Sequence, residues 1–136
     1  MSSPSLLAVV TATVLAVPGM AAGNGIQPQE RGQGSTVYSE HCARCHGKEG
    51  QGRIGPPVLG PEAWLSNYGT GRRLYDYVRR TMPQDKPRSL SERQYRAVVT
   101  YLLRRNGYVS SEESLSREEL EAVSLEKASR SPEGGS

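Results

Sequence analysis

The 136-residue sequence contains no phenylalanine, one tryptophan and only two cysteines, and hydrophobic residues make up 35% of it. A chain this short with so few large apolar side chains has little material for a conventional core, so we expect something besides side chains to fill the interior. The cysteines, Cys42 and Cys45, lie too close together for a disulfide to close a stabilising loop. A cofactor within one domain plus tails is therefore the favoured explanation.

The N-terminus has no Lys or Arg before its apolar stretch, residues 6–17. The stretch is too short to span a bilayer, and the small residues that follow it are typical of a secretory signal peptide. We expect residues 1–22 to be a signal peptide that exports the protein to the periplasm, and residues 23–33 to be a flexible lead-in. An uncleaved anchor and a start codon upstream of Met1 remain open alternatives.

The spacing of apolar residues predicts an all-α, loop-rich fold with three main helices over about residues 34–45, 70–80 and 91–105. The first helix places Tyr38, Cys42 and Cys45 on one face, so that both sulfurs point in the same direction. The second helix ends before Pro83, which biases Met82 to an extended conformation.

The third helix has the clearest boundaries. Ser91 and Gln94 form a capping box at its start, and Asn106 with Gly107 supplies a left-handed stop. Between the first two helices, the density of Gly and Pro in residues 47–60 requires a loop, and residues 61–65 are expected to form one helical turn.

After residue 109 the composition becomes polar and acidic. In this tail, residues 110–136, Ser116 and Glu119 repeat the capping-box pattern and predict a short helix over about 116–127. Because no broad apolar face is evident, we expect this helix to pack only loosely. Residues 131–136 are expected to be disordered.

The segment from Cys42 to His46 has the Cys-x-x-Cys-His pattern by which haem c is attached. Two thiols at this separation reach the two vinyl groups on one edge of a porphyrin, and His46 is thereby delivered beneath the iron. Three alternatives stay open. The first is a redox disulfide, which would need a strand–helix–strand frame that the sequence lacks. The second is a zinc site that would also use His41, although structural zinc ligands usually come in two separated pairs. The third is that the match is a coincidence.

Met82 is the only methionine beyond the leader and the candidate for the second axial ligand, because a low-spin electron-transfer haem needs another soft donor. The alternative is that Met82 fills the core. His41 adjoins Cys42 on the same helix, where it could not reach the opposite haem face, and is expected to be a partly exposed packing residue. The candidate hydrogen-bond donors to the haem propionates are Trp64, Tyr68, Arg72 and Arg73.

With these residues, the chain resembles the class I cytochrome c family over roughly residues 34–109. The resemblance is carried by the haem attachment segment with Gly47, by residues 55–58, by Met82-Pro83 and by residues 98–103. It implies a small helical fold wrapped around one covalently bound haem, with contact between the first and last helices near Gly34 and Tyr101. It also implies that the Pro56 carbonyl accepts the ring N–H of His46, for which a plain loop turn is the alternative.

A finer resemblance covers residues 74–83, 89–91 and 101–109. It is to the cytochrome subunits of periplasmic sulfur-oxidising (sulfite or sulfane dehydrogenase) complexes and of quinoprotein alcohol dehydrogenases. It implies an electron carrier rather than an enzyme, working as the electron acceptor or a subunit of a periplasmic dehydrogenase. The alternative is a haem enzyme, or a gas or peroxide sensor, with an open sixth coordination position.

Charge divides the chain into two parts. Residues 31–109 contain 14 Lys and Arg against 6 Asp and Glu, whereas residues 110–136 contain 3 against 7. The basic part predicts docking to redox partners with an acidic surface, although exposed charge is more often simple solvation. We expect no nucleic-acid partner, because the sequence lacks a binding motif and carries an export signal, and no stable membrane span.

Overall fold

A computed structural model of the chain describes residues 32–126. The expected signal peptide, nearly all of the lead-in and residues 127–136 lie outside this range. The described part contains five α-helices and one 3-10 helix: α1 (Gln33–His41), α2 (Ala43–His46), the 3-10 helix (Leu65–Tyr68), α3 (Gly71–Thr81), α4 (Glu92–Arg105) and α5 (Arg117–Ala122).

Within residues 32–126 there is no β-strand, only an isolated bridge between Thr70 and Ser124, so the all-α prediction is confirmed. None of the helices in this range combines the length and apolar character needed to cross a bilayer.

Helices α3 and α4 begin and end as their sequences predict. Thr70 caps α3 by accepting a hydrogen bond from the backbone of Arg73, and Met82 after its last turn is extended, with φ −114° and ψ 152°. At the start of α4, the Ser91 hydroxyl accepts from the Gln94 backbone at 3.2 Å and the Gln94 side chain accepts from the Ser91 backbone at 2.9 Å. These reciprocal bonds satisfy backbone donors that a helix start leaves without partners.

Two predictions in the N-terminal half are wrong in detail. The first helix is divided at Cys42, whose φ of −115° departs from helical geometry, so α1 and α2 are separate elements. The helical turn expected at residues 61–65 is instead a turn closed by the hydrogen bond from the Ala63 backbone to the Gly60 carbonyl. The 3-10 helix begins later, where Leu65 is buried while Trp64 stays exposed.

The first and third of the predicted main helices, α1 and α4, cross at a glycine. A Cβ atom added at Gly34 of α1 would collide with the Ala97 carbonyl and with Tyr101, both on α4. The absence of a side chain lets the two helices pack closely, and the ring of Tyr38 lies 5.6 Å from that of Tyr101. The contact implied by the family resemblance is therefore present.

The expectation of a loosely packed tail is wrong. Leu120 and Leu125 have no exposed surface and belong to the main hydrophobic core. Helix α5 ends at Ala122 rather than near residue 127, because the extended segment after it pairs with the start of α3. There the Gly71 backbone donates to the Val123 carbonyl at 2.9 Å, and the Leu125 backbone donates to the Gly69 carbonyl at 2.8 Å.

Candidate haem site

His46 ends α2 and is 9% exposed. Its Nδ1 atom lies 2.7 Å from the Pro56 carbonyl oxygen. A carbonyl can only accept, so Nδ1 donates this hydrogen bond and Nε2 is the ring nitrogen left to offer a lone pair to a metal. A Cβ atom at Gly55 would lie 2.9 Å from Cε1 of the ring. The imidazole is thus oriented by the Gly55-Pro56 backbone, with one nitrogen available to a metal.

The glycine-rich loop folds back onto the haem attachment segment. The Gly55 backbone donates to the Cys45 carbonyl at 2.8 Å, and the Gly52 backbone donates to the His46 carbonyl at 2.7 Å. From α1, the buried hydroxyl of Tyr38 donates to the Gly47 carbonyl at 2.7 Å. Burial, with a smaller contribution from Cys42, raises the pKa of Tyr38 to about 12, so this hydroxyl stays protonated and remains a donor at neutral pH.

Cys42 and Cys45 are partly buried and do not form a disulfide. Burial, followed by repulsion from Cys45, raises the pKa of the Cys42 thiol to about 11. Redox-active Cys-x-x-Cys pairs have lowered thiol pKa values, so this environment does not favour the redox-disulfide interpretation. Within the described range, no three side chains of His, Cys, Asp or Glu come together in a group that could hold a metal ion.

Met82 is half-buried, and the peptide bond joining it to Pro83 is cis. Its backbone carbonyl accepts a hydrogen bond from the Tyr95 hydroxyl at 2.7 Å. Three residues further on, Asp85 lies 3.3 Å from the guanidinium of Arg44, which stands between the two cysteines. This ion pair shows that the segment after Met82 lies beside the haem attachment segment, although the two are 41 residues apart in sequence.

An open groove of about 500 Å³ lies between the 3-10 helix and α3. Of the four predicted propionate donors, Tyr68 and Arg73 line the groove, whereas Trp64 is 70% exposed and Arg72 pairs with Asp76 at 3.1 Å. Further lining residues that the sequence reasoning missed are Asn67, Asp76, Tyr77, Arg79 and Arg80. The sequence could have indicated Tyr77 and Arg80, because residues 73, 77 and 80 recur at a spacing that places them on one helix face.

The groove also brings two aromatic rings together. The rings of Tyr68 and Tyr77 lie 5.0 Å apart. Burial, followed by the effect of Tyr77, raises the pKa of Tyr68 to about 12, so its hydroxyl is neutral and can donate a hydrogen bond at physiological pH. The Tyr68 hydroxyl and the Arg73 guanidinium together give the groove hydrogen-bond donors suited to a carboxylate.

The donor set fits a covalently bound haem. Cys42 and Cys45 offer two thiols at the spacing that the porphyrin vinyl groups require, and His46 offers Nε2 because Nδ1 is engaged by Pro56. Met82 adds a thioether, which is a soft donor suited to haem iron.

The chain belongs to the family described as cytochrome c oxidase, cbb3-type, subunit III, whose model matches residues 29–102, more than half of the sequence. Members of this family bind covalently attached haem c, so the predicted class of protein and its cofactor are confirmed. The predicted function of electron transfer is supported at the level of the family.

Similar proteins include two curated relatives and one solved structure. A thiosulfate dehydrogenase of Stutzerimonas stutzeri (strain A1501) is 31% identical over 63% of this chain and 32% of its own length. Subunit CcoP of the cbb3-type cytochrome c oxidase of Azospirillum sp. (strain B510) is 36% identical over 38% of this chain and 17% of its own length. The sulfane dehydrogenase SoxCD from Paracoccus pantotrophus matches with a TM-score of 0.58 and 27% identity, over 71% of this chain and 53% of that chain. The chain spans a third or less of the length of these two curated relatives.

Proposed function

We propose that the protein is an exported monohaem c-type cytochrome that carries single electrons as the acceptor or a subunit of a periplasmic dehydrogenase. The observation that carries the proposal is His46, which directly follows the cysteine pair, is buried and is oriented through Nδ1 by the Pro56 carbonyl at 2.7 Å. When bound, the haem supplies an iron that alternates between Fe(II) and Fe(III).

In this proposal each residue of the site has a separate role. Cys42 and Cys45 form the two thioether bonds, Nε2 of His46 binds one face of the iron and the thioether of Met82 binds the other. Pro56 fixes the orientation of the imidazole. Because a methionine ligand favours reduced iron, we expect a positive reduction potential.

The haem propionates need hydrogen-bond donors or cations if they are to be buried. We assign this role to Tyr68 and Arg73, which line the groove beside α3. Trp64 and Arg72 are weaker candidates, because the first is exposed and the second already has a carboxylate partner.

The surface next to the cysteines supports an acidic redox partner. Ile54 is 76% exposed, and its neighbour Arg53 donates to the Arg44 carbonyl at 3.2 Å. An exposed apolar residue next to a cation suits a short-lived complex with an acidic protein. The names of two of the relatives, thiosulfate dehydrogenase and sulfane dehydrogenase, support a dehydrogenase as that partner. The apolar stretch at residues 6–17 supports export.

The proposal is tested by producing the protein together with a cytochrome c maturation apparatus. We expect the purified chain to carry the additional mass of one haem and a Soret band, and we expect Cys42→Ala with Cys45→Ala to abolish both. A wild-type chain with the mass of its amino acids alone would refute haem attachment.

The axial ligand is tested by Met82→Ala, with Thr81→Ala as the neighbouring control. We expect Met82→Ala to lose the low-spin, thioether-ligated spectrum and Thr81→Ala to retain it. An unchanged spectrum in Met82→Ala would refute the ligand assignment and favour the alternative of an enzyme or sensor with an open sixth position.

A further inference from the structure

We infer that Tyr95 is a positioning residue for Met82, an inference that rests on the proposed role of Met82 as axial ligand. Tyr95 lies in the first turns of α4 and is 1% exposed. Its hydroxyl donates to the Met82 backbone carbonyl at 2.7 Å. This partly buried hydrogen bond to the backbone of the proposed ligand itself restrains where that residue lies relative to the core.

Tyr95 is itself firmly held. The capping box of Ser91 and Gln94 fixes the start of α4, and the Leu90 backbone N–H donates to the Tyr95 hydroxyl at 3.4 Å. The single hydroxyl therefore connects both ends of the segment from Met82 to Leu90. A tie at both ends restricts the positions that the segment can adopt.

The segment between these ends has little else to hold it in the core. Residues 84–89 are all exposed. Its other ties are the bond from the Met82 backbone to the Val78 carbonyl at 2.9 Å, two local backbone bonds, from Lys86 to the Pro83 carbonyl and from Ser89 to the Lys86 carbonyl, and the exposed ion pair of Asp85 with Arg44. Exposed ion pairs contribute little, so the Tyr95 hydroxyl is the strongest side-chain restraint on the Met82 segment.

The consequence is a competition at the sixth coordination position. An external ligand can bind only when Met82 moves away, so its apparent affinity reports how firmly the Met82 segment is held. Removing a buried hydrogen bond shifts such an equilibrium by a factor of about ten. Tyr95 acts through Met82 and does not itself need to touch the cofactor.

The experiment titrates the ferric holoprotein with imidazole and compares four single variants with the wild type. We expect Tyr95→Phe to increase the apparent imidazole affinity about tenfold. Tyr38→Phe is the matched control, because it removes a tyrosine-to-carbonyl bond of the same length, and more fully buried, on the other side of the site, at Gly47. If Tyr95 had only a structural role, Tyr95→Phe and Tyr38→Phe would both lower thermal stability, and neither would change the apparent imidazole affinity.

Met82→Ala separates failure of this inference from failure of the proposed function. If Met82→Ala binds imidazole no more tightly than the wild type, the ligand assignment fails. If Met82→Ala binds tightly but Tyr95→Phe behaves like the wild type, only the positioning role fails. In the Met82→Ala background, Tyr95→Phe is expected to have no further effect, and an additional tenfold gain there would also overturn the inference. Tyr95→Leu, which removes the same hydroxyl, must act in the same direction as Tyr95→Phe.

Discussion

On the His46 side of the site, residues 45–56, the chain is held mainly by backbone hydrogen bonds within the segment, whereas on the Met82 side, residues 82–90, the side chain of Tyr95 from α4 supplements a few local backbone bonds. The His46 side has hydrogen bonds of 2.7 to 2.8 Å from Gly52 and Gly55 to the haem attachment segment, besides the bond from the imidazole to Pro56. The Met82 side is tied to the core by the hydroxyl of Tyr95, and most of its residues are exposed.

With His46 and Met82 as the proposed axial ligands, this difference indicates which of the two is displaced first. Exchange of an axial ligand requires local opening, and segments with few buried contacts open at the lowest free energy. We therefore expect external ligands to replace Met82 and leave His46 in place. With the His46 imidazole held firmly and the Met82 thioether displaced more easily, changes near Met82 could alter the properties of the iron while the covalent attachment of the haem stays intact.

The largest change in the free energy of unfolding is expected from a substitution in the tail, and it tests whether the two sides of the site differ in local stability. Leu120→Ala removes a fully buried side chain where α5 packs on the start of α3, far along that helix from Met82. We expect a loss of about 3 kcal/mol in the free energy of unfolding, measured by denaturant titration, with the exposed Glu121→Ala as control.

The imidazole affinity of Leu120→Ala should stay at the wild-type value. If it rises as much as in Tyr95→Phe, the looseness of the Met82 side reflects the stability of the whole domain, and the contrast between the two sides is lost.

A smaller effect is expected at Gly55, on the His46 side. In Gly55→Ala the new Cβ atom would lie 2.9 Å from the imidazole, so the ring or the loop must move. We expect a loss of about 2 kcal/mol in the free energy of unfolding, and a smaller fraction of chains carrying haem by mass spectrometry. Gly60→Ala is the control, because its Cβ meets no atom within 4 Å and its cost is limited to backbone strain at φ 88°. A fully stable Gly55→Ala would mean that the His46 side is less tightly packed than the comparison assumes.

Local patterns account for what the sequence predicts well. The capping boxes at Ser91 and Ser116 each depend on residues three positions apart, and both are present in the structure. The Cys-x-x-Cys-His segment likewise needs only five consecutive residues to indicate its cofactor, which the family confirms. Features of this kind are determined before the chain makes any distant contact.

The burial of the tail could not be predicted in the same way. Leu120 lies in α5 and Leu125 lies in the extended segment after it, so no single helical or strand period includes both. Their burial depends on the return of the chain over Gly69 and Gly71. A Cβ atom at Gly71 would lie only 2.9 Å from the Leu120 carbonyl. The hydroxyl of Tyr95 is a similar case, because its partner at Met82 lies 13 residues earlier.

The smallest effect concerns the ion pair that joins the two sides. Arg44 and Asp85 are 3.3 Å apart, but their side chains are 72% and 57% exposed. Water and salt screen such a pair, so we expect Arg44→Gln to change the free energy of unfolding by about 0.5 kcal/mol or less. A double-mutant cycle with Asp85→Asn, measured at low and high salt, isolates the pair. A coupling of about 2 kcal/mol that persists in high salt would show that the Met82 side is held to the haem attachment segment directly, and would reduce the share of its anchoring that Tyr95 provides.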